Sequence, residues 1–194
     1  PVRVGGLINI FVPEKEYYVF SPSQLRRVLI NYMKKNNIFF TGLKGSGKTA
    51  FVRALCARMG IPLMVISCGP GIDEDYLFGR NDFDGEKVKP IDGIVTYCLR
   101  YGIHVLFDEI SALRPSVAVT LNDILEDTKV VVLKHHGLDP NIKPEDQRIT
   151  CDGNVVVKHP FFRVWATDNG GGKAVRDSSY VGINTLSAAL RSRF

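Results

Sequence analysis

Cysteine is scarce: the four residues Cys56, Cys68, Cys98 and Cys151 are scattered and form no C-x-x-C pair. That spacing argues against a disulfide-framed secreted scaffold and against a zinc site. Three of the four lie in apolar runs, as reduced thiols of a cytoplasmic protein do, so that compartment is expected. Long apolar runs are missing too. Nothing approaches the roughly 18 residues of a membrane span, so no membrane role is expected. The opening "PVRVGGLINIF" soon turns polar and carries no cleavable signal pattern. Internal repeats and low-complexity tracts are absent. Nor is charge one-sided: the net value is +5, the pI is about 9.1, and the basic residues are spread over "QLRRVL", "NYMKKNN" and "RALCAR". So mild an excess fits solvated helix faces better than a nucleic-acid groove, although the groove stays open as an alternative.

What is present is a chain of 194 residues, 45% hydrophobic and 23% charged, enough for one globular domain with a real core. Residues 1–20 read as extended and irregular, broken by Pro13. "SPSQLRRVLINYMKKNN" has a serine start (Ser21 or Ser23) and apolar Leu25, Val28, Leu29 and Tyr32 at helical spacing. "NIFFT", "IPLMVISC", "IHVLFDE" and "FFRVWATDN" read as buried strands. "KTAFVRALCARMG", "DGIVTYCLRYG" and "RPSVAVTLNDILED" read as helices, the first closed by Gly60. Strands without polar alternation, separated by helices, predict a three-layer α/β fold around a parallel sheet. Two stretches break the alternation. "YLFGRNDFDGEKVKPIDG" and the run from "KVVVLKHHG" to "DGNVVVKH" look like hairpin insertions, with β-prone runs around glycine turns.

Gly42 to Thr49 spells G-L-K-G-S-G-K-T, a G-x-x-x-x-G-K-[ST] match placed after a strand and before a helix. The cradle would comprise Gly42, Lys44, Gly45, Ser46 and Gly47. Its glycines let backbone N–H groups converge on phosphate oxygens, and the helix start turns its positive end to the same anion. Lys48 can reach the β- and γ-phosphates, and Thr49 can hold Mg²⁺. An ordinary strand-to-helix turn with exposed lysines meets fewer of these demands.

"HVLFDEIS" places Asp108 and Glu109 at the C-terminal end of a strand, where open α/β sheets put their ligands. Asp108 suits Mg²⁺, and Glu109 suits polarising the water that attacks a γ-phosphate. Read alone, the pair could equally cap the next segment. Asn169 ends the fourth strand and could orient that water, or be a turn residue before glycines. Arg191 and Arg193 are either surface charge or a guanidinium offered to a neighbour's phosphoryl group. His135 and His136 read as loop residues, with no partners at metal spacing.

The ordered set "GLKGSGKT", "HVLFDE", "WATDN" and "LSAALRSRF" resembles the AAA+ ATPases, in the branch of MoxR-type proteins and dynein- and midasin-related modules. Within it the ATPase subunit of cobaltochelatase looks most similar, through "GKTAFVRALCARMGIP", "GIDEDYLFGRNDF", "FDEISALRPSV" and "FRVWATDN" followed by a loop with Tyr180 and Gly182. The resemblance runs from about residue 15 to the end. It implies an AAA+ large subdomain of the P-loop NTPase class, with ATP and Mg²⁺ as cofactors. Lys48 and Thr49 would be the Walker A pair, Thr49 and Asp108 the Mg²⁺ ligands, and Asp108 and Glu109 the Walker B acids. Asn169 would be the sensor-1 amide and Arg193 the arginine finger; Arg191 matches only the midasin-like pattern. It further implies a homo-oligomeric ring, commonly a hexamer, that remodels or loads a partner, with a von Willebrand-type protein as one candidate.

The two hairpins match this branch's helix-2 insert and pre-sensor-1 hairpin, the second being longer than in the cobaltochelatase subunit. The helical lid, which in relatives follows a fifth strand, is expected to be absent, and weak ATP binding with it. Two other readings are a nucleic-acid-directed AAA+ motor and a nucleotide-gated interaction module with little turnover. A small-molecule kinase would leave the acid pair and "LRSRF" unexplained.

Overall fold

A computed structural model of the chain describes residues 3–4, 7–8, 10–83, 85, 88–133, 155–169 and 187–194. At the start, the strands β1 (Arg3–Val4) and β2 (Leu7–Ile8) form a small antiparallel pair. Helix α1 (Pro22–Met33) begins with proline in its first turn, where the missing N–H costs nothing. Ser21 is its N-cap, but its hydroxyl lies 3.2 Å from that of Ser23 and makes no capping bond. There follow β3 (Ile38–Thr41), α2 (Lys48–Met59) and β4 (Leu63–Ser67). Gly60 ends α2 at φ 69°, a left-handed cap that glycine adopts without strain.

The first insertion opens with an element the strand-prone reading missed. Helix α3 (Glu74–Phe78) is capped by Asp73, whose carboxylate accepts from the Tyr76 N–H at 2.8 Å. The sequence signal was there, an aspartate followed by two acids in the first turn. Strands β5 (Gly79–Phe83) and β6 (Val88–Asp92) then form the expected hairpin, joined to α4 (Ile94–Tyr101). Strand β7 (His104–Asp108) leads through one 3-10 turn (Ile110–Ala112) to α5 (Pro115–Thr120) and α6 (Asn122–Leu125). The single helix expected over "RPSVAVTLNDILED" is therefore two short ones, parted at Leu121.

Strands β8 (Val130–Val132) and β9 (Val155–Val157) pair antiparallel as the base of the second insertion. Its central part, with His135, His136 and Cys151, lies outside the described residues, as does the loop with Tyr180 and Gly182. Strand β10 (Val164–Asp168) and the short α7 (Ala188–Arg191) complete the order.

The central sheet runs β3-β10-β7-β4, all parallel. Period-two alternation gives each strand two apolar faces. Leu106 and Trp165 face α1 and α2, joining Val28, Phe40, Phe51, Val52 and Leu55 in one core. Val105, Phe107, Val164 and Ala166 face the other way, into a core with Leu77, Leu99, Val117 and Ile124. Helices thus cover both faces, which is the three-layer arrangement expected. The same alternation points Asp108 and Thr167 to the α2 side, where the site forms.

Candidate nucleotide site

The turn between β3 and α2 bends sharply enough to need glycine. Gly45 and Gly47 sit at φ 78° and 81°, and Gly47 is the N-cap of α2 with no side-chain capping bond. The first N–H groups of a twelve-residue helix therefore face outward with no side chain of the cap over them. A Cβ on Gly45 would meet nothing within 4 Å, so the cradle is open above it. Lys44 and Ser46 are exposed along its rim.

Lys48 folds back over this turn. Its Nζ donates to the carbonyls of Gly42 and Leu43, both at 2.9 Å, and to Asn169 Oδ1 at 2.8 Å. The other end of the Asn169 amide donates to Glu109 Oε1 at 2.6 Å. One amide thus links the lysine of the turn to the glutamate of the neighbouring strand end. The turn-residue reading of Asn169 does not describe what its side chain does. Glu109 is likewise no side-chain cap. It precedes the 3-10 turn at φ 58°, ψ 52°, makes no capping bond, and turns its carboxylate to Asn169.

Asp108 collects hydroxyls. Its Oδ1 accepts from Thr49 Oγ1 at 2.6 Å and from Thr167 Oγ1 at 2.5 Å. Thr167 also accepts the Glu109 N–H at 3.0 Å. One residue on, buried Asp168 accepts a short hydrogen bond from Ser111 Oγ, tying the turn after Glu109 to the end of β10. Thr167, Asp168 and Ser111 were not singled out from the sequence, because a threonine inside an apolar strand carries no signal of its partner.

Among the described residues no group of three or more His, Cys, Asp or Glu could hold a metal ion. The donors at this spot are instead one hydroxyl and one carboxylate. That hard, sparse set suits Mg²⁺, which keeps several waters and takes its remaining ligands from substrate phosphates. Cys68 adjoins the acids, its N–H donating to the Asp108 carbonyl at 2.8 Å. Burial first, then the charges of Asp108 and Glu109, push its thiol well up, so it stays protonated and is no nucleophile.

The two arginines lie elsewhere. Asn37, just before β3, donates to the Arg193 carbonyl at 3.1 Å, whereas the phosphate turn follows β3. Four residues of strand, about 13 Å, separate those ends. Arg193 pairs with Glu126 at 2.7 Å and donates to the Ala189 carbonyl at 2.6 Å. It borders a groove also lined by Lys34, Lys158 and Arg163. Arg191 is exposed on α7. Within one chain, then, Lys48, Thr49, Asp108, Glu109 and Asn169 converge, and Arg191 and Arg193 do not join them.

A glycine-rich anion turn between strand and helix, faced by an acid pair two strands away in the same parallel sheet, defines a P-loop nucleotide-binding domain. The family is narrower: residues 37–194 match the AAA domain (dynein-related subfamily), and the chain belongs to it. The aerobic cobaltochelatase subunit CobS of Sinorhizobium is 24% identical over 191 residues, covering 96% of this chain and 53% of CobS. Midasin of Dictyostelium discoideum is 30% identical over 185 residues, 92% of this chain and 3% of midasin. Protein NorQ of Paracoccus denitrificans is 29% identical over 107 residues, 55% of this chain and 40% of NorQ. A crystal structure of a candidate ATPase from Cytophaga hutchinsonii superposes with a TM-score of 0.56 at 18% identity, over 89% of this chain and 43% of that one, and supports the fold. The chain spans about half the length of CobS and a small fraction of midasin. No helix among the described residues is long and apolar enough to cross a membrane.

Proposed function

We propose that the chain is the ATP-binding and ATP-hydrolysing part of a ring-forming AAA+ protein that uses turnover to remodel or load a partner complex. The observation that carries this is the line Lys48–Asn169–Glu109 stretched across the mouth of the phosphate turn. A binding turn alone has no use for a carboxylate held 2.6 Å from an amide that also reaches the turn's lysine.

In this reading Lys48 exchanges its neutral carbonyl partners for the β- and γ-phosphates, because a charge-assisted pair is the stronger one. Gly42, Lys44, Gly45, Ser46 and Gly47 cradle the phosphate tail through the backbone. Thr49 and Asp108 would hold Mg²⁺, which supplies neutralisation of phosphate charge when bound. Glu109 takes a proton from water as the water oxygen bonds the γ-phosphorus, and the bond to the β–γ bridging oxygen breaks to release ADP and phosphate. Asn169 keeps Glu109 and the water aligned.

Arg193 lies too far from the turn of its own chain to serve it, so it acts on a neighbour's triphosphate, with Arg191 beside it. That requires a closed ring, for which a hexamer is the proposed form. By kinship with a cobaltochelatase subunit, the candidate partner is a von Willebrand-type protein. ATP is the proposed nucleotide, and a cytoplasmic location is proposed from the reduced thiols.

The test is Glu109→Gln in the full-length protein. Turnover should vanish while Mg²⁺-ATP stays bound and the assembly persists. Hydrolysis at the wild-type rate would remove Glu109 from its role. Proteins captured on the trapped variant should include the partner.

A further inference from the structure

Thr167 is fully buried, at 0% exposure, in the middle of the sheet. Its register explains its partners. Trp165 pairs with Leu106 and Ala166 with Phe107, so the next position of β10 comes level with Asp108. There the hydroxyl does two things at once. Its proton goes to Asp108 Oδ1 at 2.5 Å, and its oxygen accepts the Glu109 N–H at 3.0 Å. Each partner has a reason to need it. The Asp108 carboxylate also accepts from Thr49, so its rotation decides how the two Mg²⁺-ligand candidates present themselves together. Glu109 holds a left-handed backbone conformation, which an L side chain adopts only when its surroundings enforce it.

We propose that Thr167 is a positioning residue that locks the carboxylate of Asp108 and the backbone of Glu109 to one another, so that metal binding and water activation are aimed by a single hydroxyl. The proposal rests on the hydrolytic reading of Asp108 and Glu109 given above. Thr167 is buried, and its hydroxyl is taken up by Asp108 and Glu109. It acts through its two partners, as outer partners of metal ligands commonly do. The adjacent Asp168–Ser111 contact holds the same turn from the other face of the strand.

Thr167→Val keeps the shape and removes both hydrogen bonds, whereas Thr167→Ser keeps the hydroxyl and removes a methyl. Binding of a fluorescent ADP to the full chain is measured in EDTA and across a Mg²⁺ titration, alongside ATP turnover and thermal melting. For Thr167→Val the expected result is a loss of about 10- to 100-fold in turnover and a similar rise in the Mg²⁺ needed to tighten nucleotide. Affinity in EDTA should stay near wild type, and Thr167→Ser should regain most of both losses. An unchanged Mg²⁺ requirement in Thr167→Val overturns the proposal. So does a serine variant as impaired as the valine one, or an equal loss of affinity in EDTA. Should Glu109→Gln retain turnover, the catalytic reading of Glu109 fails, while the Mg²⁺ titration still judges Thr167 by itself.

Discussion

Acid should weaken this domain through one imidazole. His104 opens β7, is 1% exposed, and accepts a hydrogen bond at Nδ1 from Trp165 Nε1 at 3.1 Å. Its ring lies 5.6 Å from that of Tyr32. Protonation would place an N–H against the indole N–H in a buried site. Burial, and then the charge of Arg163, lower the His104 pKa to about 4, against an upward pull from a hydrogen bond to the Phe161 backbone. The unfolded chain, with an ordinary value near 6.5, binds the proton first as pH falls. The neutral ring's contribution is therefore complete above about pH 6.5 and is lost on the way down to about pH 4. Integrating between those values gives a loss of roughly 2 kcal/mol by pH 5 and roughly 3 kcal/mol by pH 4.

Trp165 is the single tryptophan of the chain, so its fluorescence reports on this contact directly. Urea unfolding at pH 7.5 and pH 5, followed by that fluorescence, should show the loss in the wild type. His104→Asn, whose amide oxygen can still accept from the indole, should lose less over the same interval. Carboxylates titrate in both proteins, so the difference between them is the quantity that matters. Equal losses in the two proteins, or a His104 resonance that titrates near 6.5 in the folded state, would refute the reasoning.

Two further outcomes follow from the geometry. Arg193→Ala should turn over ATP about 10³-fold more slowly if its guanidinium serves a transition state next door. Mixing it with Lys48→Ala subunits should restore some activity, and no recovery at any ratio would count against action in trans. At the base of the first hairpin, a Cβ on Gly79 would lie 2.1 Å from the Ile91 carbonyl oxygen and 2.6 Å from the Gly93 nitrogen, with φ at 101°. Gly79→Ala should therefore destabilise the fold by about 2 kcal/mol or more and expose the hairpin to hydrogen exchange. Unchanged exchange there would mean that the added Cβ is accommodated without opening the strand pair, against this expectation.

The parts of the site readable in the chain are the ones written by neighbours in sequence. Gly42 to Thr49 is one contiguous turn whose glycines, lysine and threonine act through local backbone geometry, so the string carries its own mechanism. The four buried strands were readable for the same reason, since a strand covered on both faces has no polar alternation to hide it. Helix α3 was missed although Asp73 marked its start, because the β-prone residues after it favoured a hairpin reading. The break at Leu121 was missed because apolar spacing continues across it.

Asp108, Glu109 and Asn169 lie between these cases. Their types suggested chemistry. Although a cap or a turn would account for each read alone, the phosphate turn upstream and the family resemblance already favoured the chemical reading; their contacts were not legible. Strand order is not a local property. It arises from which apolar faces bury one another, and it alone brought Asn169 between Lys48 and Glu109 and made Thr167 the partner of both acids. Likewise the residue pattern marked Arg193 as a guanidinium of interest, but only the packing of its carbonyl on Asn37 put it at the far end of β3. Amino-acid order by itself determined the anion turn, the sheet strands and the layer pattern, because those depend on backbone preference and period. Which side chains meet, and at what distance, was decided by tertiary packing, because hydrogen bonds between strands join residues about 60 positions apart that nothing in the chain's local pattern connects.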